Sequence, residues 1–177
     1  HNLENIACAL AVARALKIPA AISRKVVENF KPIPGRLEYL RTIHGVKIYN
    51  DNNATTPDAT IAALRALSCH SRGGGNPDLD PRIREDDRKI VLIIGGTDKG
   101  LDMSKLVAEI TKHCKAVVFL KETGTEKLLV ACNAKHVTPD KESKKLHATR
   151  YTFQNIPIYE METLESCVRQ SMNLAER

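Results

Sequence analysis

The chain has 177 residues, of which 42% are hydrophobic and 27% are charged, so it is long enough to fold as one domain, or as one domain plus part of another. Its net charge of +6 comes from lysines and arginines scattered among acidic residues, with only 4% aromatics, which favours solvated surface charge and anionic ligands over a nucleic-acid partner. The sequence has no apolar run near the ~18–20 residues that span a bilayer and no C-x-x-C pair, which argues against a membrane protein and a zinc site.

The cysteines predict the cellular location of the chain, and its first residues predict its position within a longer protein. Five cysteines without the spacing of a disulfide framework indicate reduced thiols and a cytoplasmic location. The start, His1-Asn2-Leu3-Glu4, has no initiator methionine and no signal-like segment. We therefore expect the chain to begin inside a longer protein.

The N-terminal part predicts two helices and a connector. Residues 3–16 are rich in alanine and indicate a closely packed helix, and residues 21–30 carry an apolar stripe at helical spacing. The proline-containing segment 31–35 is stiff and predicts a domain boundary.

A hairpin and a capped helix are predicted next. Residues 37–43 and 46–49 alternate like strands around a short turn. The following helix, residues 57–67, has Thr56 as its N-cap and Pro57 at its first position.

From there on, strands and helices alternate. The predicted elements cover residues 90–94, 104–114, 116–120, 125–132, 156–159 and 163–175. The apolar run 90–94 is typical of a strand buried on both faces of a parallel sheet. The pattern predicts an α/β, Rossmann-like fold: a mostly parallel sheet flanked by helices on both faces. Two polar stretches do not fit, and we interpret 71–88 as a flexible insert and 136–155 as a surface excursion.

Candidate binding residues follow the predicted strands, because ligands of such folds bind beyond the carboxyl ends of the strands. In segment 50–58, Thr55 and the free N–H groups of a helix start are suited to a carboxylate or phosphate. The alternative is a simple helix cap with Asp51 as a turn former.

The segment 95–100 holds a second candidate. Paired glycines let the backbone approach a ligand closely, and Lys99 offers a positive charge to an anion. The alternative is a surface turn with a solvated lysine. The segment does not have the G-x-x-x-x-G-K-[ST] order of a P-loop. Segment 121–124 is a weaker candidate, with Lys121 interpreted as surface.

Three polar residues near the N-terminus complete the set. Asn2 and Asn5 lie three apart on one helical face, and their amides suit the edge of an adenine, although asparagine is also common at helix starts. Arg36 either meets a phosphate or forms a structural salt bridge. The histidines lie in predicted turns or polar stretches, and we assign them no chemistry.

Four motifs in this order resemble those of the Mur ligase family. They are His1-Asn2-x-x-Asn5, Phe30-x-x-x-Pro34-Gly35-Arg36-Leu37-Glu38, Tyr49-Asn50-Asp51-x-x-Ala54-Thr55-Thr56-Pro57-Asp58 and Ile93-Ile94-Gly95-Gly96-x-Asp98-Lys99-Gly100. The resemblance covers most of residues 1–132 and, more loosely, 156–175. It implies that residues 34–177 are a truncated Mur ligase C-terminal domain and that residues 1–33 are the end of the central ATPase domain.

The resemblance implies an ATP-dependent ligase that forms an amide bond through an acyl phosphate in peptidoglycan synthesis. The Asn-Asp-x-x-Ala-Thr string is most similar to that of the family member that joins D-glutamate to UDP-N-acetylmuramoyl-L-alanine. The family also implies a cytoplasmic monomer. The alternatives are a sibling ligase, such as a folylpolyglutamate synthase-like enzyme, or a non-catalytic truncated binding module.

The resemblance also implies roles for the candidate residues. Asn2 and Asn5 would lie near the adenine of ATP, Arg36 near its phosphates and Asp51 near its ribose. Thr55 and Lys99 would bind the carboxylates of D-glutamate, with Lys99 as the catalytic candidate.

The chain also departs from the family pattern. The P-loop and the Mg²⁺ ligands are expected outside this chain, which offers no metal ligand of its own. Many relatives carry a lysine at the position of Asn53, and the family continues past residue 177 into a segment that completes the amino-acid pocket. We therefore expect the isolated chain to be inactive.

Overall fold

The computed structural model describes residues 2–31, 33–69, 90–137 and 148–176. The insert predicted at 71–88 lies outside these residues. The described elements are α1 (Asn2–Ala15), α2 (Ala20–Glu28), β1 (Glu38–Ile43), β2 (Val46–Asn50), α3 (Pro57–Cys69), β3 (Ile90–Ile94), α4 (Ser104–His113), β4 (Cys114–Leu120), α5 (Thr123–Ala131), β5 (Lys135–Val137), β6 (Thr149–Phe153), β7 (Ile156–Met161) and α6 (Leu164–Ala175).

Strands β1 and β2 form the predicted hairpin, paired antiparallel from Glu38 opposite Asn50 to Ile43 opposite Val46. Both turn residues, His44 and Gly45, have positive φ, as tight hairpins with the twist of β-strands require. The hairpin is a two-stranded sheet of its own. Strand β2 is therefore not part of the main sheet, and the strands predicted from residue 46 onward join that sheet only from β3.

The main sheet has five strands in the order β3-β4-β7-β6-β5. Strand β4 pairs parallel with β3 and with β7. Strand β6 pairs antiparallel with β7 and β5, so four of the strands run in one direction and β6 runs in the other. The predicted α/β fold with a mostly parallel sheet is confirmed.

Helices cover both faces of this sheet, because residues along each strand alternate between them. On one face, α3, α4 and α5 pack on the sheet around Leu64, Leu106, Ile110, Val117, Phe119 and Leu128. On the other face, α6 places Cys167 against Val118, Tyr159 and Met161. Phe119 and Val118, adjacent in β4, are both 0% exposed, so β4 is buried on both faces.

Two predictions about strands were wrong. Strand β3 is parallel as predicted, but it lies at the edge of the described sheet, and Ile93 is 36% exposed. The segment 136–155 is not simply a surface excursion, because it contains the end of β5 and all of β6. Tyr151 and Phe153 of β6 pack against the core, whereas residues 138–147 lie outside the described part of the chain.

The N-terminal helices α1 and α2 pack on each other. No residue of α2 is buried, and large apolar side chains are exposed on both helices, including Leu3, Val12, Ile22 and Val26. Such a surface is typical of helices that pack against further protein. Within the described ranges, no helix is long and apolar enough to cross a membrane.

Candidate functional site

Two contacts show that α3 and α4 run in the same direction. The guanidinium of Arg65 donates to both carboxylate oxygens of Glu109, at 3.1 Å each, and Ser68 Oγ lies 2.8 Å from His113 Nδ1. Each contact joins the later part of α3 to the later part of α4. Since α4 follows β3, the N-termini of both helices lie at the carboxyl edge of the parallel strands. The loop before α3, which carries Thr55, and the loop before α4, which carries Lys99, therefore lie at the same edge.

Glu109 is the charged centre of this helix pair. It is only 6% exposed, and it also accepts hydrogen bonds from Lys112 Nζ at 2.8 Å and His113 Nε2 at 3.1 Å. The hydrogen bonds from Arg65, which have the largest effect, and from Lys112 hold the pKa of the Glu109 carboxyl well below its usual range. His113, predicted to lie in a turn or polar stretch, is instead the last residue of α4 and a member of this network.

A set of hydrogen bonds, which we call the linker clasp, joins residues 34–37 to residues 51–53. Asn53 donates its backbone N–H to Gly35 O at 3.0 Å and its side-chain amide to Pro34 O at 2.9 Å. Asp51 Oδ1 accepts the backbone N–H of Leu37 at 2.8 Å. The clasp fixes the segment before β1 to the loop that leads to α3.

Two of the predicted site residues, Asp51 and Arg36, lie in the segments that the clasp joins. Asp51, predicted to approach a ribose, has Oδ1 in a hydrogen bond that joins two segments 14 residues apart, so its carboxylate has a structural contact in the clasp. Arg36 is exposed in the first of these segments. The side-chain amide of Asn53 donates to the carbonyl oxygen of Pro34. A lysine at this position has a longer side chain, so its ammonium would reach the same oxygen only in a different side-chain conformation.

Replacing Gly35 by alanine should destabilise the chain more than replacing Gly45. Both glycines have positive φ, so alanine at either costs about 1–2 kcal/mol of backbone strain. A Cβ at Gly35 would also collide with the side-chain oxygen of Asn52, whereas a Cβ at Gly45 meets open space. We expect G35A to lower the free energy of unfolding by roughly 1 kcal/mol more than G45A, measured by urea unfolding. Equal losses in the two variants would show that the clasp tolerates the extra carbon.

Lys99 lies exposed in the turn after β3. The turn requires glycine on either side, with φ of 125° at Gly96 and 72° at Gly100. Asp98 Oδ1 accepts the backbone N–H of Gly100 at 2.9 Å and a bond from Lys127 Nζ at 3.2 Å. Both bonds lower the pKa of the Asp98 carboxyl, and the bond from the Gly100 N–H has the larger effect.

The other predicted residues lie as follows. Thr55 is exposed and donates its backbone N–H to Asn53 O at 3.0 Å. Thr56 caps α3 as predicted, with Oγ1 3.4 Å from the N–H of Ala59. Asn5 is exposed on α1, and the side chain of Asn2 lies outside the described residues. The ligand-binding roles of all these residues stay predictions.

Three of the cysteines, Cys114, Cys132 and Cys167, are free and buried. Burial raises the pKa of Cys114 to about 12, and the pKa values of Cys132 and Cys167 to about 11, so these thiols stay protonated and are poor nucleophiles. In the part of the chain that the structure describes, no three His, Cys, Asp or Glu side chains are grouped as a metal site would need.

Comparison with known proteins places this arrangement in a family. The model of the "Mur ligase, glutamate ligase domain" family matches residues 35–177. The chain belongs to the Mur ligase family. Members of the family are ATP-dependent amide ligases.

Several curated relatives carry the same name. The UDP-N-acetylmuramoylalanine--D-glutamate ligase of Roseiflexus sp. (strain RS-1) is 39% identical over 128 residues, 72% of this chain and 23% of that protein. The enzymes of that name from Caldanaerobacter subterraneus subsp. tengcongensis and Nitrosospira multiformis are 28% and 30% identical over 100% and 99% of this chain, and over 31% and 29% of their own lengths. The chain thus spans less than a third of the length of these relatives.

Proposed function

We propose that this chain is the C-terminal part of an ATP-dependent ligase that joins D-glutamate to UDP-N-acetylmuramoyl-L-alanine in peptidoglycan synthesis. The observation that carries the proposal is the common carboxyl edge, to which the parallel helices α3 and α4 bring the Thr55 and Lys99 loops. The relatives support the choice of amino acid, because those described above are all named as D-glutamate ligases.

The domain organisation is part of the proposal. Residues 34–177 form the C-terminal domain, and residues 1–33 are the end of a central ATPase domain. Two observations support this division: the family match begins at residue 35, and α1 and α2 expose apolar side chains that a larger domain would cover.

The proposed chemistry of the site follows from its charges. Lys99 and the Thr55 hydroxyl bind the carboxylates of D-glutamate and aim its amine at the reacting carbon. Orienting the amine removes much of the entropic barrier of a two-substrate reaction. ATP, when bound, supplies the phosphoryl group that converts the substrate carboxylate into an acyl phosphate, with phosphate as the leaving group.

The nucleotide is proposed to lie at the entrance to the C-terminal domain. Arg36 is exposed on the clasp turn, where its guanidinium can approach phosphates. Asp51 Oδ1 is held by Leu37 N–H, so the ribose would meet a carboxylate of defined orientation. Asn2 and Asn5 would contact the adenine. Mg²⁺ ligands are proposed to lie outside this chain, and the protein is proposed to be a cytoplasmic monomer.

The proposal is tested in the protein expressed from its complete reading frame. Phosphate release is measured with ATP, Mg²⁺, UDP-N-acetylmuramoyl-L-alanine and, in parallel, D-glutamate, L-glutamate or a diamino acid. Of the three amino acids, we expect only D-glutamate to support phosphate release. Phosphate release only with another amino acid would identify a sibling ligase. The 177-residue chain by itself should release no phosphate, because it contains no G-x-x-x-x-G-K-[ST] motif.

A further inference from the structure

The loop after β3 is joined to the start of α5 by three contacts. Gly124 donates its N–H to Gly96 O at 3.0 Å, and Thr123 Oγ1 accepts the N–H of Asp98 at 3.0 Å. Lys127, one helical turn further on, donates to Asp98 Oδ1 at 3.2 Å. We call Thr123, Gly124 and Lys127 the α5 latch. The latch holds both backbone and side-chain atoms of the loop that presents Lys99.

The absence of a side chain at Gly124 is necessary for this contact. A Cβ built on Gly124 would lie 2.6 Å from the carbonyl oxygen of Gly96, well inside van der Waals contact. The backbone of Gly124 itself is not in the left-handed region, so the local helix would accept alanine without strain. Glycine at this position therefore serves the neighbouring loop rather than α5.

The latch has a rigid support. At the start of α5, Glu122 donates its backbone N–H to Thr125 Oγ1 at 3.0 Å, and Thr125 donates its backbone N–H to Glu122 O at 3.1 Å. Thr125 is 1% exposed, and its hydroxyl also lies 2.9 Å from Leu120 O at the end of β4. The start of α5 is thereby fixed to β4, which is buried on both faces, and the latch contacts hold the neighbouring loop against it.

We propose that Thr123, Gly124 and Lys127 are positioning residues for amino-acid binding, because they set where the ammonium of Lys99 lies. This inference rests on the proposed function of Lys99. Lys127 and the Gly100 N–H engage Asp98 Oδ1, so the carboxylate next to Lys99 is held by other partners. A misplacement of about 1 Å can cost up to a hundredfold in rate, so a loop with three glycines, two of them at positive φ, needs such an external support.

Gly124→Ala and Lys127→Met in the full-length ligase test the proposal. We expect G124A to raise the KM for D-glutamate by roughly three- to thirtyfold and K127M, which removes a partly exposed ion pair, by roughly two- to fivefold, while the KM for ATP stays unchanged. In G124A the collision with the backbone carbonyl of Gly96 opposes the higher helix propensity of alanine, so Lys127→Met, which adds no collision, is the variant that separates loop positioning from folding. Lys127→Arg, which keeps the charge, should recover most of the lost affinity.

Lys121→Met is the matched control. Lys121 follows β4 at the same edge, and its ammonium pairs with Glu162 at 3.0 Å rather than with Asp98, which pairs with Lys127. We expect the KM for D-glutamate of K121M to be that of the wild type. A KM in K127M and G124A no higher than in K121M would overturn the proposal.

A measurement without substrate separates this proposal from the proposed function. In ¹H–¹⁵N spectra of the full-length protein without substrate, G124A and K127M should shift or broaden the amides of Gly96, Asp98 and Gly100, and K121M should not. Unmoved amides would overturn the latch. If the full-length enzyme instead uses another amino acid, the KM for that amino acid is compared in the same variants. In that case the proposed substrate is wrong, and the KM values of the variants for the other amino acid decide whether the latch positions Lys99.

Discussion

Replacing Lys99 by methionine in the full-length ligase should raise the KM for D-glutamate roughly 10- to 100-fold, since a hydrogen bond to a charged group contributes about 1.5–3 kcal/mol. Methionine keeps most of the length of the side chain and removes only the ammonium. The KM for ATP should change little, because Lys99 lies in the turn after β3 and the proposed nucleotide residues lie elsewhere. Initial rates of phosphate release at varied D-glutamate and at varied ATP separate the two constants.

Lys105→Met is the control for this experiment. Lys105 is exposed in the first turn of α4, at the same edge of the sheet, so its removal changes the net charge of that edge by the same amount. We expect kinetic constants within about twofold of the wild type, because long-range effects of exposed charges are screened by salt. Equal losses in K99M and K105M would show that the edge acts only through its overall charge, and Lys99 would have no specific role.

Local patterns predicted the elements whose residues point consistently to one structure. Thr56 and Pro57 mark the start of α3 because a hydroxyl cap and a proline without N–H both suit the first turn of a helix. Strand β4 was predictable because burial on both faces requires a continuous apolar run. The order of α3, β3, α4 and β4 also predicts that Thr55 and Lys99 lie at one edge.

The contacts that hold the candidate site could not be predicted in this way, since they join residues far apart in sequence. Gly124 contacts Gly96 across 28 residues, and within its own helix it is only a poor helix former. Strand β6 was missed because its residues are all half-buried, so no clear apolar alternation marks it. Asn53 was noted only as a missing lysine, whereas its amide forms part of the linker clasp.

Glu109→Gln should lower the free energy of unfolding of the chain by about 1–2 kcal/mol, because it replaces a charged acceptor of four hydrogen bonds by a neutral amide. The loss is smaller than for a fully buried ion pair because Arg65 and Lys112 are 62% and 61% exposed, and water screens them. Urea unfolding of the 177-residue chain at pH 7 measures the difference. Glu165→Gln is the control: Glu165 pairs with Arg169 at 2.9 Å on an exposed helix face, where the loss should be a few tenths of a kcal/mol or less.

The pH dependence of the stability difference between wild type and E109Q distinguishes a charge effect from a packing effect. The pKa of Glu109 is lowered in the folded state, so its carboxylate binds a proton less readily there than in the unfolded chain, where the ordinary value is 4.5. The stability that this carboxylate adds over E109Q is therefore fully present above about pH 6 and is lost as the pH falls through the folded-state pKa. At pH 3 the difference between wild type and E109Q should be clearly smaller than at pH 7. A difference that stays constant between pH 7 and pH 3 would assign the effect to the shape of the side chain, and the charge that joins α3 to α4 would contribute nothing to stability.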